Sequence, residues 1–411
     1  MKPTGPIPPY FAADSDGMLQ IGGRRADDLV AEAGDTPLFV YDMDIVRQRA
    51  KRLRAAMPEA LALHFAIKAN PWAPVLAAMA PLVDGFDVAS QGEMDRALAA
   101  GMAPDAISFA GPGKRDRELK AAIVAGVTLN AESEGEVSRA LAIGRDLAIA
   151  PRIAIRVNPS FDLKGSGMKM GGGAKPFGVD ADRVPALVEA VIKGGGDWRG
   201  FHIFAGSQSL DADAIIDAQA QTIALAAALA EEIGSAPRHV NIGGGLGIPY
   251  FSGDAALDVE SIGAALSKQL KELPNILNET QFAMELGRWF VAEAGVYLTR
   301  VVDRKISHDQ TFLVCDGGLH HQLAASGNFG TVIRRNYPIA VANRFLADAS
   351  ETVSVVGPLC TPLDRLGDQV ALPHADPGDL IAVFLAGAYG RSASPTAFLG
   401  HPEPIEMLVN A

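Results

Sequence analysis

Cysteine is nearly missing from this chain: among 411 residues only Cys315 and Cys360 occur, too few for a disulfide framework or a cysteine-built zinc site. Both are expected to be reduced thiols. Long apolar runs are missing too, since nowhere do about 18 apolar residues follow one another. The start, "MKPTGPIPPYF", has no apolar stretch after its lysine. Neither a membrane span nor a signal peptide is therefore expected, and the chain is placed in the cytoplasm. A cationic surplus is also lacking. Lys and Arg number 36 against 48 Asp and Glu, the net charge is -12, and no Lys/Arg-rich run occurs, which argues against nucleic acid as a partner. What remains, 48% hydrophobic and 20% charged, is an ordinary globular composition with room for two domains. No repeat of fixed period and no low-complexity tract is evident.

From residue 36 to residue 292 short β-type runs alternate with alanine-rich stretches of helical period. The runs are "LALHFAI", "GFDVA", "AISFAG", "VTLNA", "RIAIRVN", "GFHIFAG", "HVNIGG" and "FAMELG". Between them lie helical patterns such as "QGEMDRALAAG", "DRELKAAIVAG" and "DAIIDAQAQTIALAAALAEEIG", several closing on the glycine that favours a helix C-terminus. The alternation predicts an α/β fold, a (β/α)8 barrel whose strands are buried on both faces and so read as continuous apolar runs. From residue 293 to 411, "GVYLTRVVDRK", "QTFLVCDGG", "ETVSVVGPL" and "DLIAVFLAGAYG" are β-type runs punctuated by Gly, Pro and Asp, which predicts a second, all-β domain. Residues 1–35, with "GMLQIGG", are too short to stand alone and are expected to add a strand to that domain.

Barrels of this kind build their sites at the C-terminal ends of the strands, so the residues that follow each run are informative. The first run ends on Lys68 and Asn70, and a lysine there is an anomaly, because desolvating an ammonium is costly. Next come Asp87 and Ser90, then "GPGK", then Asn130 with Glu132. The fifth run carries Arg156 and Asn158, the sixth His202 and Ser207; the seventh opens into Gly243, Gly244 and Gly245, and the eighth into Glu285 and Arg288. The glycines allow a close backbone approach to an anion, and Ser207 and Arg288 offer further phosphate contacts. A phosphorylated aldehyde cofactor at this rim, pyridoxal 5'-phosphate, would explain the glycines and also Lys68, as the amine of a Schiff base.

"FAIKAN", "FDVASQGE", "HIFAGSQ", "GGGLG", "ELGR", "GPLC" and "GAYG" occur in that order, and together they resemble the fold-type III pyridoxal-phosphate decarboxylases, the group of diaminopimelate, ornithine and arginine decarboxylases. The resemblance implies an alanine-racemase-type barrel with a β-sandwich domain, a homodimer with shared active sites, and a small amino-acid substrate. It implies Lys68 as the Schiff-base lysine and His202 stacked on the cofactor ring. Ser207, Gly243 to Gly245, Arg288 and Tyr389 are placed around the phosphate, and Asp87 and Arg156 near the lysine and the ring oxygen. Glu285 is set against the pyridine nitrogen, a choice that favours decarboxylation over the racemases of the same scaffold, which use an arginine there. Cys360 is implied as the proton donor to the product carbon and Asp364 as a contact to the substrate's distal amine.

The pattern departs from diaminopimelate decarboxylases in two places. Where they carry "CESGD", this chain has "CTPLD", with Thr361 in place of the glutamate; and where an Arg-Pro grips the distal carboxylate, it has "DGGLHHQLAASGNFGTVIRRN". Arg334 and Arg335 are the candidate replacements for that arginine, with Arg334 taken as the substrate contact. This stretch is more similar to decarboxylases that accompany exosortase systems, and to the one that decarboxylates an aminoacyl group tethered to an acyl carrier protein. A carrier protein is accordingly a candidate partner beside a free diamino or basic amino acid. The neighbouring His320 and His321 point apart on most backbones, so no metal site is expected.

Overall fold

The computed structural model describes residues 1–327 and 335–411. By its contacts the chain divides into two units: Ala50–Gly247 with Leu257–Gly287, and Met1–Arg49 with Ile248–Ala256 and Arg288–Ala411.

The first unit contains a closed barrel. Its parallel strands are β1 (Ala62–Ala66), β2 (Gly85–Val88), β3 (Ile107–Phe109), β4 (Thr128–Ala131), β5 (Arg152–Asn158), β6 (Asp197–Ile203), β7 (His239–Asn241) and β8 (Gln281–Leu286). Each pairs with the next, β8 returns to β1, and β4 pairs β5, so no edge is left in the ring. All eight coincide with apolar runs read from the sequence, and Phe65, Phe86, Phe109 and Phe201 are fully buried among them. Helices fill the intervals with the expected caps. Ser90 accepts from the Glu93 N–H at 3.2 Å, Ser133 from Glu136 at 3.1 Å and Asp211 from Ala214 at 3.0 Å. Gly126 and Gly234 close helices in the left-handed conformation, at φ 79° and 71°. Register sets the level of the site: Arg156, His202 and Asn241 are neighbours across β5, β6 and β7, and Glu285 on β8 lies opposite His64 on β1.

The second unit is built on an eight-stranded, mainly antiparallel arrangement. The long strand Gly295–Ser307 pairs through its first half with Leu380–Phe384 and Leu38–Asp42, and through its second half with Gln310–Cys315. A register shift between Val301 and Asp303 marks the change, the bend by which one strand serves two layers of a sandwich. Leu38–Asp42, which the sequence reading assigned to the barrel, is hydrogen-bonded here instead, to Gly295–Leu298 and to Ile405–Val409. The N-terminal segment does not extend this sheet: Ala12–Ala13, Leu19–Ile21 and Arg24–Arg25 form a small three-stranded sheet of their own. Among the described residues no helix is long and apolar enough to cross a membrane.

Candidate active site

At the end of β1 the chain turns into the 3-10 turn Ile67–Ala69, closed by the Asn70 N–H on the Ile67 carbonyl at 3.0 Å. This turn resolves the anomaly at Lys68. Ile67 and Ala69 are buried while Lys68 itself is exposed, so the strand keeps its apolar face and the amine is delivered outside it. Glu93, within the quoted "FDVASQGE" but given no role there, lies in the same neighbourhood. Burial raises its pKa, against the Ala89 N–H, Lys68 and Arg96, which lower it.

Glu285 is 8% exposed at the end of β8. Its Oε2 lies 3.1 Å from His202 Nε2 and accepts from Asn241 Nδ2 at 3.3 Å. Burial alone would raise its pKa, but His202, Lys68 and Arg156 outweigh it and draw the value down to about 2. Four residues predicted from strand ends thus form one electrostatic group with Glu285 ionised at its centre. Arg156 donates to Glu132 Oε1 at 2.9 Å and lies over the Phe177 ring at 5.1 Å. Glu132 also accepts from the Gly178 N–H at 3.2 Å, so it fixes Arg156 from behind.

Several polar atoms here are buried without a hydrogen-bond partner among the described residues: His202 Nδ1, Ser207 Oγ, and both oxygens of Asp87. Such atoms are costly unless something completes them. The glycine run supplies the room. Gly243 and Gly245 have φ 72° and 95°, and a Cβ on Gly244 would stand 1.9 Å from the Glu285 carbonyl oxygen. Asn241 holds the entry to this loop, accepting from the Gly243 N–H at 2.8 Å. Donors, a tight glycine turn, an exposed amine and an ionised carboxylate together fit pyridoxal 5'-phosphate.

In the second unit Arg288 is half-buried, with its guanidinium 5.8 Å from the Tyr250 ring and 5.0 Å from the Tyr389 ring. Burial lowers its pKa, but Tyr250, Tyr389 and Tyr337 more than reverse this. Among the described residues no carboxylate pairs with it, which leaves a half-buried cation suited to an anion. Tyr250 and Tyr337 were not singled out in the sequence; only their place beside Arg288 reveals them. Cys360 is exposed. Asp364 is placed otherwise than the resemblance implies. It is 2% exposed, Oδ1 accepts from the Leu319 N–H at 2.6 Å and Oδ2 from the Leu359 N–H at 2.8 Å, so the carboxylate clasps the Cys360 loop. Arg334 lies outside the described residues, and Arg335 stacks 3.8 Å over the Phe251 ring. His321 is bound by Tyr297 and by the Pro402 carbonyl, each at 3.0 Å, while both nitrogens of His320 and both amide atoms of Gln322 are buried without hydrogen-bond partners among the described residues. Burial lowers both histidines, His320 to about 4 and His321 to about 3, so they are neutral imidazoles.

"GPGK" proves structural. Lys114 donates to Glu136 Oε1 at 2.7 Å and to the Gly111 and Asn130 carbonyls at 2.9 and 2.8 Å, fully buried.

Comparison with known proteins agrees with this geometry. The profile for the pyridoxal binding domain of pyridoxal-dependent decarboxylases matches residues 43–292. The L-glutamyl-[BtrI acyl-carrier protein] decarboxylase of Niallia circulans is 37% identical over 380 residues, 91% of this chain and 89% of that one. The diaminopimelate decarboxylase of Methanothermobacter thermautotrophicus is 32% identical, covering 98% and 92%. Among solved structures, the Helicobacter pylori diaminopimelate decarboxylase complexed with L-lysine superposes with a TM-score of 0.83 at 28% identity, covering 93% and 94%.

Proposed function

Because the chain belongs to the pyridoxal-dependent decarboxylases, enzymes that remove a carboxylate from an amino acid with pyridoxal 5'-phosphate, we propose a narrower reading: its substrate is an aminoacyl group tethered to an acyl carrier protein, of the glutamyl type. The observation that supports this is the set His320, His321 and Gln322, buried and uncharged, in the stretch of sequence where diaminopimelate decarboxylases carry the Arg-Pro that grips the distal carboxylate. A carboxylate buried against neutral groups loses more in desolvation than it regains, whereas a thioester brings no charge. Asp364 gives each of its oxygens to a backbone N–H, which holds the Cys360 loop in place. The relative at 37% identity acts on such a tethered glutamyl group.

The cofactor, when bound, supplies an electron-poor ring that takes up the electron pair left by departing carbon dioxide. We assign the chain's own parts as follows. Lys68 would hold the cofactor at its aldehyde carbon through the side-chain amine. Ser207, the turn Gly243 to Gly245 with the N–H groups of Gly244 and Gly245, Arg288 and Tyr389 would hold its phosphate, the Gly243 N–H being given to Asn241. His202 packs on the ring, and Asp87 and Arg156 flank Lys68. Glu285, kept ionised by His202, Lys68 and Arg156, provides a fixed negative charge that costs no reorganisation during reaction. The reaction consumes one proton per turnover, because the carboxylate leaves as neutral carbon dioxide and hydrogen replaces it on carbon. Cys360 Sγ is assigned as the donor, and two chains are taken to assemble as a homodimer.

The test is mass spectrometry of products from the cofactor-loaded enzyme offered meso-diaminopimelate, lysine, ornithine, arginine and glutamyl-loaded carrier protein, with Lys68→Ala as control. Loss of carbon dioxide from the tethered glutamyl group alone is expected. Turnover of free meso-diaminopimelate at comparable rate would overturn the reading and make the enzyme a decarboxylase of a free diamino acid.

A further inference from the structure

Layers of inward side chains normally fill a barrel of this class from end to end. Here the lower layer is made of small residues: Ala62, Ala106, Ser108, Thr128, Ala154 and Ala283 line a cavity of about 690 Å3 at the N-terminal end of the strands, opposite the candidate site. Its volume is that of a pocket for a small molecule, but its charged lining is mixed. Arg199 and Arg238 line it together with Asp84, Asp105 and Glu279, so no ligand charge is selected and the cavity is a polar, solvent-accessible well.

Two residues of this wall also touch carboxylates of the candidate site. Asn241 donates to Glu285 at 3.3 Å. His64 Nδ1 stands 3.5 Å from Asp87 Oδ1. The histidine ring has its place because position 85 lacks a side chain: a Cβ on Gly85 would lie 2.8 Å from His64 Nε2. His64 therefore borders the well and faces Asp87, and Asp87 pairs in register with Ala66, two residues before Lys68. We propose that His64 is a positioning residue that transmits solvent protonation from the lower well to Asp87 and so sets the net charge inside the barrel near Lys68.

The titratable groups around the ring are Asp84 and Asp87 from the β2 side, Glu285 from β8, and His239 across the well, where Arg199 donates to His239 at 2.9 Å. Burial disfavours the imidazolium, but Asp87, Glu285 and Asp84 outweigh it and raise the pKa of His64 above 6.5. Below that raised value His64 and Asp87 cancel. Above it, one uncompensated negative charge remains and favours protonation of a nitrogen at Lys68.

The test uses two readouts that do not depend on turnover. In the cofactor-free protein with labelled histidine, His64 is expected to titrate above 6.5 by NMR, and Asp87→Asn to move its midpoint downward. In the cofactor-loaded enzyme, His64→Asn leaves Asp87 permanently uncompensated, so the pH midpoint of the Lys68-linked cofactor absorbance is expected to rise by about one pH unit. His239→Asn, in the same well without contact to Asp87, is expected to leave that midpoint in place. A His64 resonance that titrates at or below 6.5, or is indifferent to Asp87→Asn, overturns the proposal, and so does an absorbance midpoint shared by wild type and His64→Asn. Should His64→Asn fail to fold, the wild-type titration, identified by its response to Asp87→Asn, decides alone.

Discussion

Glu285→Gln keeps the shape of a buried side chain and removes its charge. In the folded protein burial pushes this carboxyl up, yet His202, Lys68 and Arg156 bring it from 4.5 to about 2. A folded-state value below the unfolded one means stability that is fully present above about pH 4.5 and lost as pH falls toward 2. At about 1.4 kcal/mol per tenfold change in proton affinity, the whole contribution is about 3 kcal/mol. Between about pH 7 and about pH 3.5, about 1 kcal/mol of it should disappear in the wild type and not in Glu285→Gln. Urea unfolding of the cofactor-free protein at both pH values measures the difference. With cofactor bound, the same variant should lose about 10²–10³ in kcat, the usual loss when one preorganised electrostatic group is removed from a reaction centre. Identical acid sensitivity of the two proteins would show that the neighbouring cations do not hold Glu285 ionised, and the assignment of its role would fall with it.

Lys114→Met should destabilise by about 3–5 kcal/mol, because Glu136 would be left as a buried charge without its partner; adding Glu136→Leu should recover most of this in urea midpoints. Gly244→Ala drives a Cβ against the Glu285 carbonyl and should weaken cofactor retention on dialysis at least about tenfold, read by absorbance; normal retention would refute the close approach. Asp364→Ala orphans the Leu319 and Leu359 N–H groups at about 1–3 kcal/mol each, and should change the alkylation rate of Cys360, whereas an unchanged rate would show that the clasp does not position the thiol.

The barrel was legible because its physics is local. A strand buried on both faces must be apolar along its length, so "RIAIRVN" and "FAMELG" declare themselves and the polar residue at each end is easily seen. Pairing across long separations is not local. Leu38–Asp42 reads like any other buried strand, and only its hydrogen bonds to Gly295–Leu298 and Ile405–Val409 assign it to the other unit. The lower well was invisible for the same reason: the alanines that line it look like routine core residues one at a time. His64 looked like part of an apolar run, and only Gly85 on the neighbouring strand shows why an imidazole fits there.

What the sequence could not do was separate two kinds of buried polar residue. Lys114, Asp364 and His202 are all polar, all almost inaccessible, and all stand at strand ends or loops that a site would use. Their hydrogen-bond accounts differ. Lys114 Nζ has three acceptors and is complete within the fold, and each oxygen of Asp364 already holds one backbone N–H. His202 Nδ1, Ser207 Oγ and the oxygens of Asp87 are incomplete, and a folded chain keeps such atoms only where something else completes them. By that criterion His320 and Gln322, with four unpartnered atoms between them, belong with the second kind. They are uncharged and would bind a neutral hydrogen-bonding group without leaving a buried charge unpaired, which is the character of the thioester-tethered substrate proposed above.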